Sequence, residues 1–305
     1  MPAVPTALEL LGARTTSSSG ASLLSFHGVS GHDVYNLTAP FRVGETPYLA
    51  ARVEPRDSER STVRFFTEDG SGRWAVVDDV NPSDLQDPFT FSVAGRRYVG
   101  GVRIETEPGT GRITGWSTVL LEGQVPDRLQ AVFEGPAGMK DLRFVDLGDR
   151  VGVLTRPQGE IGGRGTIGYA VVDRMELLRS AELDQAPLLD GQFAPGEWGG
   201  ANEAHDLGDG RIGVLGHVAY FDDRGDRHYY AMAFVLDAAG GRPGPLRVVA
   251  TRADFPSGPA KRTDLRDVIF PGGLIRHADG TATLYAGLSD AQAGQATIPD
   301  PFTDV

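Results

Sequence analysis

The 305-residue chain contains no cysteine, which removes disulfides, thiolate metal sites and thiol nucleophiles at once. Lysine is almost as scarce: of 29 basic residues only Lys140 and Lys261 are lysine. In so arginine-rich a background a lysine hints that a compact, rotatable point charge suits the position. Lys140 is read that way, and Lys261 as an ordinary surface lysine. No stretch approaches the ~18 apolar residues of a membrane span, and "MPAVPTALELLGARTTSSSG" lacks the basic and apolar regions of a secretory signal. A cytoplasmic location is therefore expected, and the sequon at Asn36 is taken as a chance match. Positive charge is also in short supply. With 41 acidic residues and a net charge of −12, general binding to a nucleic-acid backbone is excluded, so any cationic site must be local. Helical periodicity is nearly absent, and only residues 173–183 ("DRMELLRSAEL") read as a helical turn or two.

What remains is a succession of short runs rich in Val, Ile, Tyr and Phe, punctuated by 41 glycines and 20 prolines. This is an all-β pattern. It repeats. "GHDVYNLTAPF", "LQDPFTF", "MKDLRFV", "ANEAHDL" and "LRDVIFPGGL" each carry an acidic residue: Asp33, Asp87, Asp141, Glu203 and Asp267, spaced 54, 54, 62 and 64 residues apart. A turn and a second strand follow each start, and a third strand follows most of them. Units of ~40–60 residues with about four strands are the signature of β-propeller blades around a central channel. The expected fold is a single five-bladed propeller over residues 1–305, with blades beginning near 25, 80, 134, 196 and 260. The last unit is read as ending after its second strand, so N-terminal strands in "ALELLGA" and "ASLLSFHGV", within or just beyond residues 1–24, are expected to close the ring.

In that geometry the inner strands line the channel, and the five acids converge on one axial pocket. They can equally be structural, capping turns at strand starts. Polar groups on the second strands reach the same end: Arg52, Glu54, Arg156, Gln158, His217, Ser289 and Asp290. Arg52, Lys140, Arg156 and His217 together suit a phosphate. The plainer explanation is an ion-pair network, for instance Lys140 beside Asp141. Metal binding by His32, His205 and His217 is a weaker reading, because no pair has ligand spacing on a common element. "GGRGTIG" (162–168) lacks the GK[ST] ending of a P-loop and is read as a tight β-connection. Trp198 and Tyr35 are candidates for stacking on a sugar face.

The order "VYNLTAPF…YLAARVE", "QDPF", "MKDLRF…VGVLTRP", "IGVLGHVA…YYAMAFVLD" and "VIFPGGL…TLYAGLSDA" resembles the mannoside-phosphorylase family of five-bladed propellers, glycoside hydrolase family 130. More closely, residues 25–302 resemble a bacterial family labelled domain of unknown function 1861. The resemblance implies that Asp87 in "QDPF" is the general acid, and that Arg52, Lys140 and His217, with Arg156 added, hold phosphate. It also implies that Asn36, Asp141 and Asp290 meet sugar hydroxyls, and Arg143 and Asp267 are further substrate-binding candidates. Gln86 and Phe89 depart from the family's "EDPR", and "WGGANEAH" replaces a proline-rich stretch.

The expected function is glycosidic bond cleavage of a mannoside-like oligosaccharide, with inorganic phosphate as possible co-substrate and no other cofactor or metal. Asp87 is expected to hold a proton, flanked by apolar Leu85 and Phe89. Phosphate, already anionic, would need cations to place it and no general base. An inverting hydrolase would need a second carboxylate at ~6.5–9.5 Å, for which Glu203 or Asp33 is the candidate. A propeller that binds carbohydrate without cleaving it, and a scaffold that presents its rim to partners, would also satisfy the pattern. The sugar and the oligomeric state are not legible.

Overall fold

The computed structural model describes residues 3–303 except 16, 79, 81 and 82. The chain is predominantly β, and its strands fall into five antiparallel units in chain order. Unit one pairs Asp33–Leu37 with Thr46–Glu54 and then Thr62–Glu68. Unit two runs Gln86–Val93, Arg96–Thr106, Ile113–Gln124 and Arg128–Glu134. Arg143–Asp146, Val151–Thr155 and Gly168–Val172 form unit three. Unit four is Trp198–Gly208, Arg211–Phe221 and Arg227–Asp237, and unit five is Asp267–Arg276, Thr281–Leu288 and Gln292–Pro299. Two residues at the start of unit five, Asp267 and Val268, pair in parallel with His228 and Tyr229, so units four and five share one hydrogen-bonded sheet.

The middle strands explain why strict alternation is weak in the sequence. Arg211–Phe221 is buried over eight consecutive residues because both of its faces pack against other units, whereas the edge strand Arg128–Glu134 is largely exposed. Five apolar clusters fill the spaces. One lies between each successive pair of units, and one lies between unit five and unit one, where Tyr285 and Ala293 meet Val34, Leu49 and Phe66. The first strands also touch in order: unit one to two, two to three, three to four, four to five, and five back to one.

Two expectations about the ends are corrected. "ALELLGA" is a helix, Ala7–Gly12, because Thr6 and Glu9 form a capping box and override the strand reading. Unit five has a third strand of its own, Gln292–Pro299, and Ser19–Leu23 pairs antiparallel with it as the outermost strand. The expected helical stretch at 173–183 is two short helical turns, Met175–Leu177 and Ser180–Asp184, the second ending one residue beyond it. Among the described residues no helix is long and apolar enough to cross a membrane.

The element that truly recurs is a bulge in the first strand. Register shifts occur between Tyr35 and Leu37, Gln86 and Phe89, Ala201 and Glu203, and Pro271 and Gly273. The residues within the shifts include Asn36, Asp87, Asn202 and Gly272. Asp141, just before the first strand of unit three, completes the set. Asn36, Asp87 and Asp141 have φ of 42°, 49° and 62°, a left-handed conformation that Asn and Asp tolerate better than other side chains. Gly272 is demanded by packing: a Cβ there would lie 1.6 Å from the Leu37 carbonyl oxygen.

Candidate active site

Two of the bulge residues, Asn36 and Asp87, line a cavity of about 360 Å³ together with Arg52, Lys140, Gln158, Tyr229, Arg262 and Asp290, among others. Trp116, Lys140, Gln158, Arg227 and Tyr229 are shared with an adjoining cavity of about 600 Å³ that adds Arg156, Arg164, Trp198 and Phe221.

Asp87 sits at the start of its strand, and its apolar neighbours turn away. Leu85 enters the core between units one and two, and Phe89 that between units two and three. The carboxylate Oδ1 accepts from Asn36 Nδ2 at 2.8 Å and from Arg52 Nη1 at 3.2 Å. Arg52 donates through Nη2 to Glu54 at 2.7 Å. Burial works against the guanidinium's charge, but Asp87, Tyr35 and Glu54 hold its pKa above the ordinary arginine value. Nη2 also lies 3.6 Å from Glu59 Oε2, so the donors left unspent are the second hydrogen of Nη1 and Nε, which has no hydrogen-bond partner among the described residues.

Lys140, immediately before Asp141, makes no hydrogen bond or ion pair among the described residues. It is a half-buried, unspent cation in the cavity wall, and it does not neutralise Asp141. That task falls to Arg156, whose Nη1 is 3.4 Å from Asp141 Oδ2, and to Arg143 at 3.8 Å. Arg156 lies in a glycine-lined slot: a Cβ on Gly165 or Gly200 would lie 2.5 Å from its side chain. Its Nε donates to the Gly199 carbonyl at 2.7 Å, while buried Nη1 has no hydrogen-bond partner. "GGRGTIG" thus serves to seat an arginine through Gly165.

Asp290 and Glu59 line the inner cavity together with Asp87. Ser289 and Asp290 have φ of 55° and 50°, two consecutive non-glycine residues in the left-handed region. Burial pushes the Asp290 carboxyl up to about 6, against the pull of Arg52 and with help from Asp87, while Lys261 and Arg262 act to lower it.

Several expected site residues lie elsewhere. Asp33 is bound by the Arg56 fork and does not line the cavity. Glu203 is committed to the Leu274 amide at 2.7 Å and to His205 at 2.8 Å, and it lines a different cavity. Arg143 also lines that cavity; it is buried over the Phe89 ring and donates to the carbonyls of Asn202 and Leu142. Asp267 bonds His228 at 2.7 Å and borders a third cavity. Asp141 is buried as the counter-ion of Arg156 and Arg143 and does not line the cavity wall. The five acids therefore do not share one cavity: Asp87 and Asp141 belong to the bulge set, whereas Glu203 lies one residue past Asn202 in mid-strand and Asp33 and Asp267 open their strands. His217 is buried, stacked on Tyr229 with Nδ1 at 2.8 Å from Asn202 Oδ1. Burial, with Arg156, Lys140 and Arg143 nearby, holds its pKa well below the ordinary value, so it is neutral. Tyr35 is also buried, donating to Glu54 at 2.6 Å, and offers no face to a sugar. Trp198 lines the outer cavity and donates to Tyr229 Oη. Among the described residues no group of three or more His, Asp or Glu side chains is arranged to hold a metal.

Sequence reasoning did not reach Trp116, Tyr229, Arg227 and Arg262. All lie on third strands or connections, whereas the acidic repeat draws attention to first and second strands. Lys261 is no surface lysine: its side chain is 6% exposed and bound to Glu54 and Glu59.

The bulge residues Asn36 and Asp87 thus share one cavity with Glu59, Asp290, the unpaired Lys140 and the Trp116 ring. The chain belongs to the family described as protein of unknown function (DUF1861), which matches residues 13–304. It is similar to the structure of MPT-4, a mannose phosphorylase from Leishmania mexicana in complex with phosphate ion: 33% identity, TM-score 0.85, covering 92% of this chain and 88% of that one. It is also similar to MPT-1, a GDP-Man-dependent mannosyltransferase from Leishmania mexicana, at 31% identity and TM-score 0.85, covering 93% and 90%. A beta-1,2-mannobiose phosphorylase from Listeria innocua shares the fold at 13% identity and TM-score 0.60, covering 92% and 91%. No curated protein matches the chain.

Proposed function

We propose that the chain is a glycoside-active enzyme that cleaves a mannoside by phosphorolysis, on a five-bladed propeller whose blades are the five antiparallel units. The cyclic order of the apolar clusters and the mutual contacts of the first strands support the propeller. The observation that carries the function is the unspent Lys140 in the same cavity as Asp87, beside Arg52 with donors to spare. The likeness to a mannose phosphorylase solved with phosphate agrees with it.

In this reading Asp87 gives a proton to the glycosidic oxygen as the C–O bond breaks, and a phosphate oxygen attacks the anomeric carbon from the opposite face. The products are a sugar 1-phosphate and a shortened acceptor, and the phosphate's proton or solvent restores Asp87. Lys140, Arg156 and the free hydrogens of Arg52 hold the phosphate, where charge-assisted bonds are strong and need no reorganisation. Asn36 and Asp290 face the sugar hydroxyls, and Trp116 offers a stacking face. Hydrolysis with Glu203 or Asp33 as base draws no support, since both carboxylates are committed outside the cavity.

Incubation with manno-oligosaccharides should release mannose 1-phosphate only when inorganic phosphate is present. Asp87→Asn should abolish that release while the protein stays folded. Free mannose formed equally without phosphate would overturn phosphorolysis, and unaltered oligosaccharide after prolonged incubation would overturn enzymatic cleavage.

A further inference from the structure

Lys261 lies in the segment that connects units four and five and forms part of the cavity rim. Its Nζ bonds Glu54 Oε1 and lies 3.1 Å from Glu59 Oε1. Glu54 is 1% exposed, and its other oxygen accepts from Arg52, which in turn contacts Asp87. Lys261, Glu54, Arg52 and Asp87 therefore form one chain of contacts in which cations and carboxyl groups alternate, with Glu59 beside both cations at 3.1 Å from Lys261 and 3.6 Å from Arg52. The segment itself is tied down. Asp254 caps Thr251 and takes the fork of Arg14, while the Lys261 amide donates to the Ser289 carbonyl next to Asp290.

A buried carboxylate needs its charge matched. Glu54 has two cationic partners, Lys261 and Arg52, and a neutral one, Tyr35. With Lys261 present, Arg52 can divide its donors between Glu54 and Asp87. Without it, Arg52 becomes the only cation bonded to Glu54, and the guanidinium is drawn toward that carboxylate and away from Asp87 and any anion beside it. The ammonium also suits the place: three rotatable donors can meet Glu54 and Glu59 from different directions, where a planar fork is matched to one carboxylate.

We propose that Lys261 is a positioning residue that sets the Arg52–Asp87 contact by neutralising Glu54. This rests on the reading of Arg52 and Asp87 as the phosphorolytic centre. The test is a cycle of wild type, Lys261→Met, Glu54→Gln and the double variant, each checked for fold by circular dichroism, with kinetics at varied phosphate and at varied manno-oligosaccharide. Lys261→Met should lower kcat/KM for phosphate at least ~10-fold while the KM for oligosaccharide stays within about twofold. The double variant should match Glu54→Gln within about threefold, because the charge that Lys261 restrains is gone. If Lys261→Met folds poorly, the comparison of the double variant with Glu54→Gln still decides. Effects that simply multiply, or a Lys261→Met enzyme with unchanged phosphate kinetics, overturn the positioning role and leave phosphorolysis standing. Wild-type enzyme without phosphate-dependent turnover overturns both.

Discussion

Asp290→Asn should make this protein more stable, and only above acidic pH. The Asp290 carboxyl has a native pKa of about 6 against an ordinary 3.8, chiefly from burial. Between those values the native state holds a proton that the unfolded chain has released, so stability falls as pH rises through this window. The difference of roughly 2 pH units corresponds to a penalty on the order of 3 kcal/mol, complete above pH ~6 and absent below ~4. Asparagine removes the ionisation and keeps the shape, and it tolerates the left-handed φ of 50° at this position. Urea unfolding at pH 8 should show the variant more stable by roughly 3 kcal/mol, near 5 °C in Tm for a chain of this size, with the advantage shrinking to under ~1 kcal/mol near pH 4. A gap between variant and wild type that does not change with pH would refute the assignment. Loss of turnover in the stabilised variant would mark Asp290 as an ionisable group kept for function at a cost in stability.

Other outcomes follow from the same geometry. Lys140→Ala removes an unspent cation and should raise the KM for phosphate by ~10- to 100-fold with little change in Tm, since no partner is left unpaired. An unchanged KM would remove Lys140 from the anion site. Gly272→Ala places a Cβ 1.6 Å from the Leu37 carbonyl and should cost more than about 2 kcal/mol in thermal or urea unfolding, because the contact joins the last unit to the first. Gly200→Ala crowds the Arg156 side chain at 2.5 Å and should impair phosphate kinetics more than stability, read by comparing KM with Tm.

The β class and the five-fold recurrence were legible because strand composition and turn residues are local properties of the chain. So was Asp87, whose neighbour Pro88 and apolar flanks mark a strand start. Asp33, Glu203 and Asp267 were equally visible as acids, yet they bind an arginine fork, a neighbouring amide and a histidine. One residue of offset along a strand reverses the face a side chain points to, and the bulges at Asn36, Asp87 and Asn202 shift that phase within each first strand. The recurring set is instead Asn, Asp or Gly: Asn36, Asp87 and Asp141 take left-handed backbone, and Gly272 leaves room for the Leu37 carbonyl.

Sequence alone determined that this chain folds as short strands around a cysteine-free, acidic, arginine-rich body, and that its basic chemistry must be concentrated locally. Only the tertiary structure decided which charges are spent and which are free. Lys261 reaches across 207 residues of chain to cancel charge on Glu54 beside Arg52, while Lys140 finds no partner among the described residues. Pairing of buried charges depends on distances between elements remote in the chain, and no local pattern of residues carries that information.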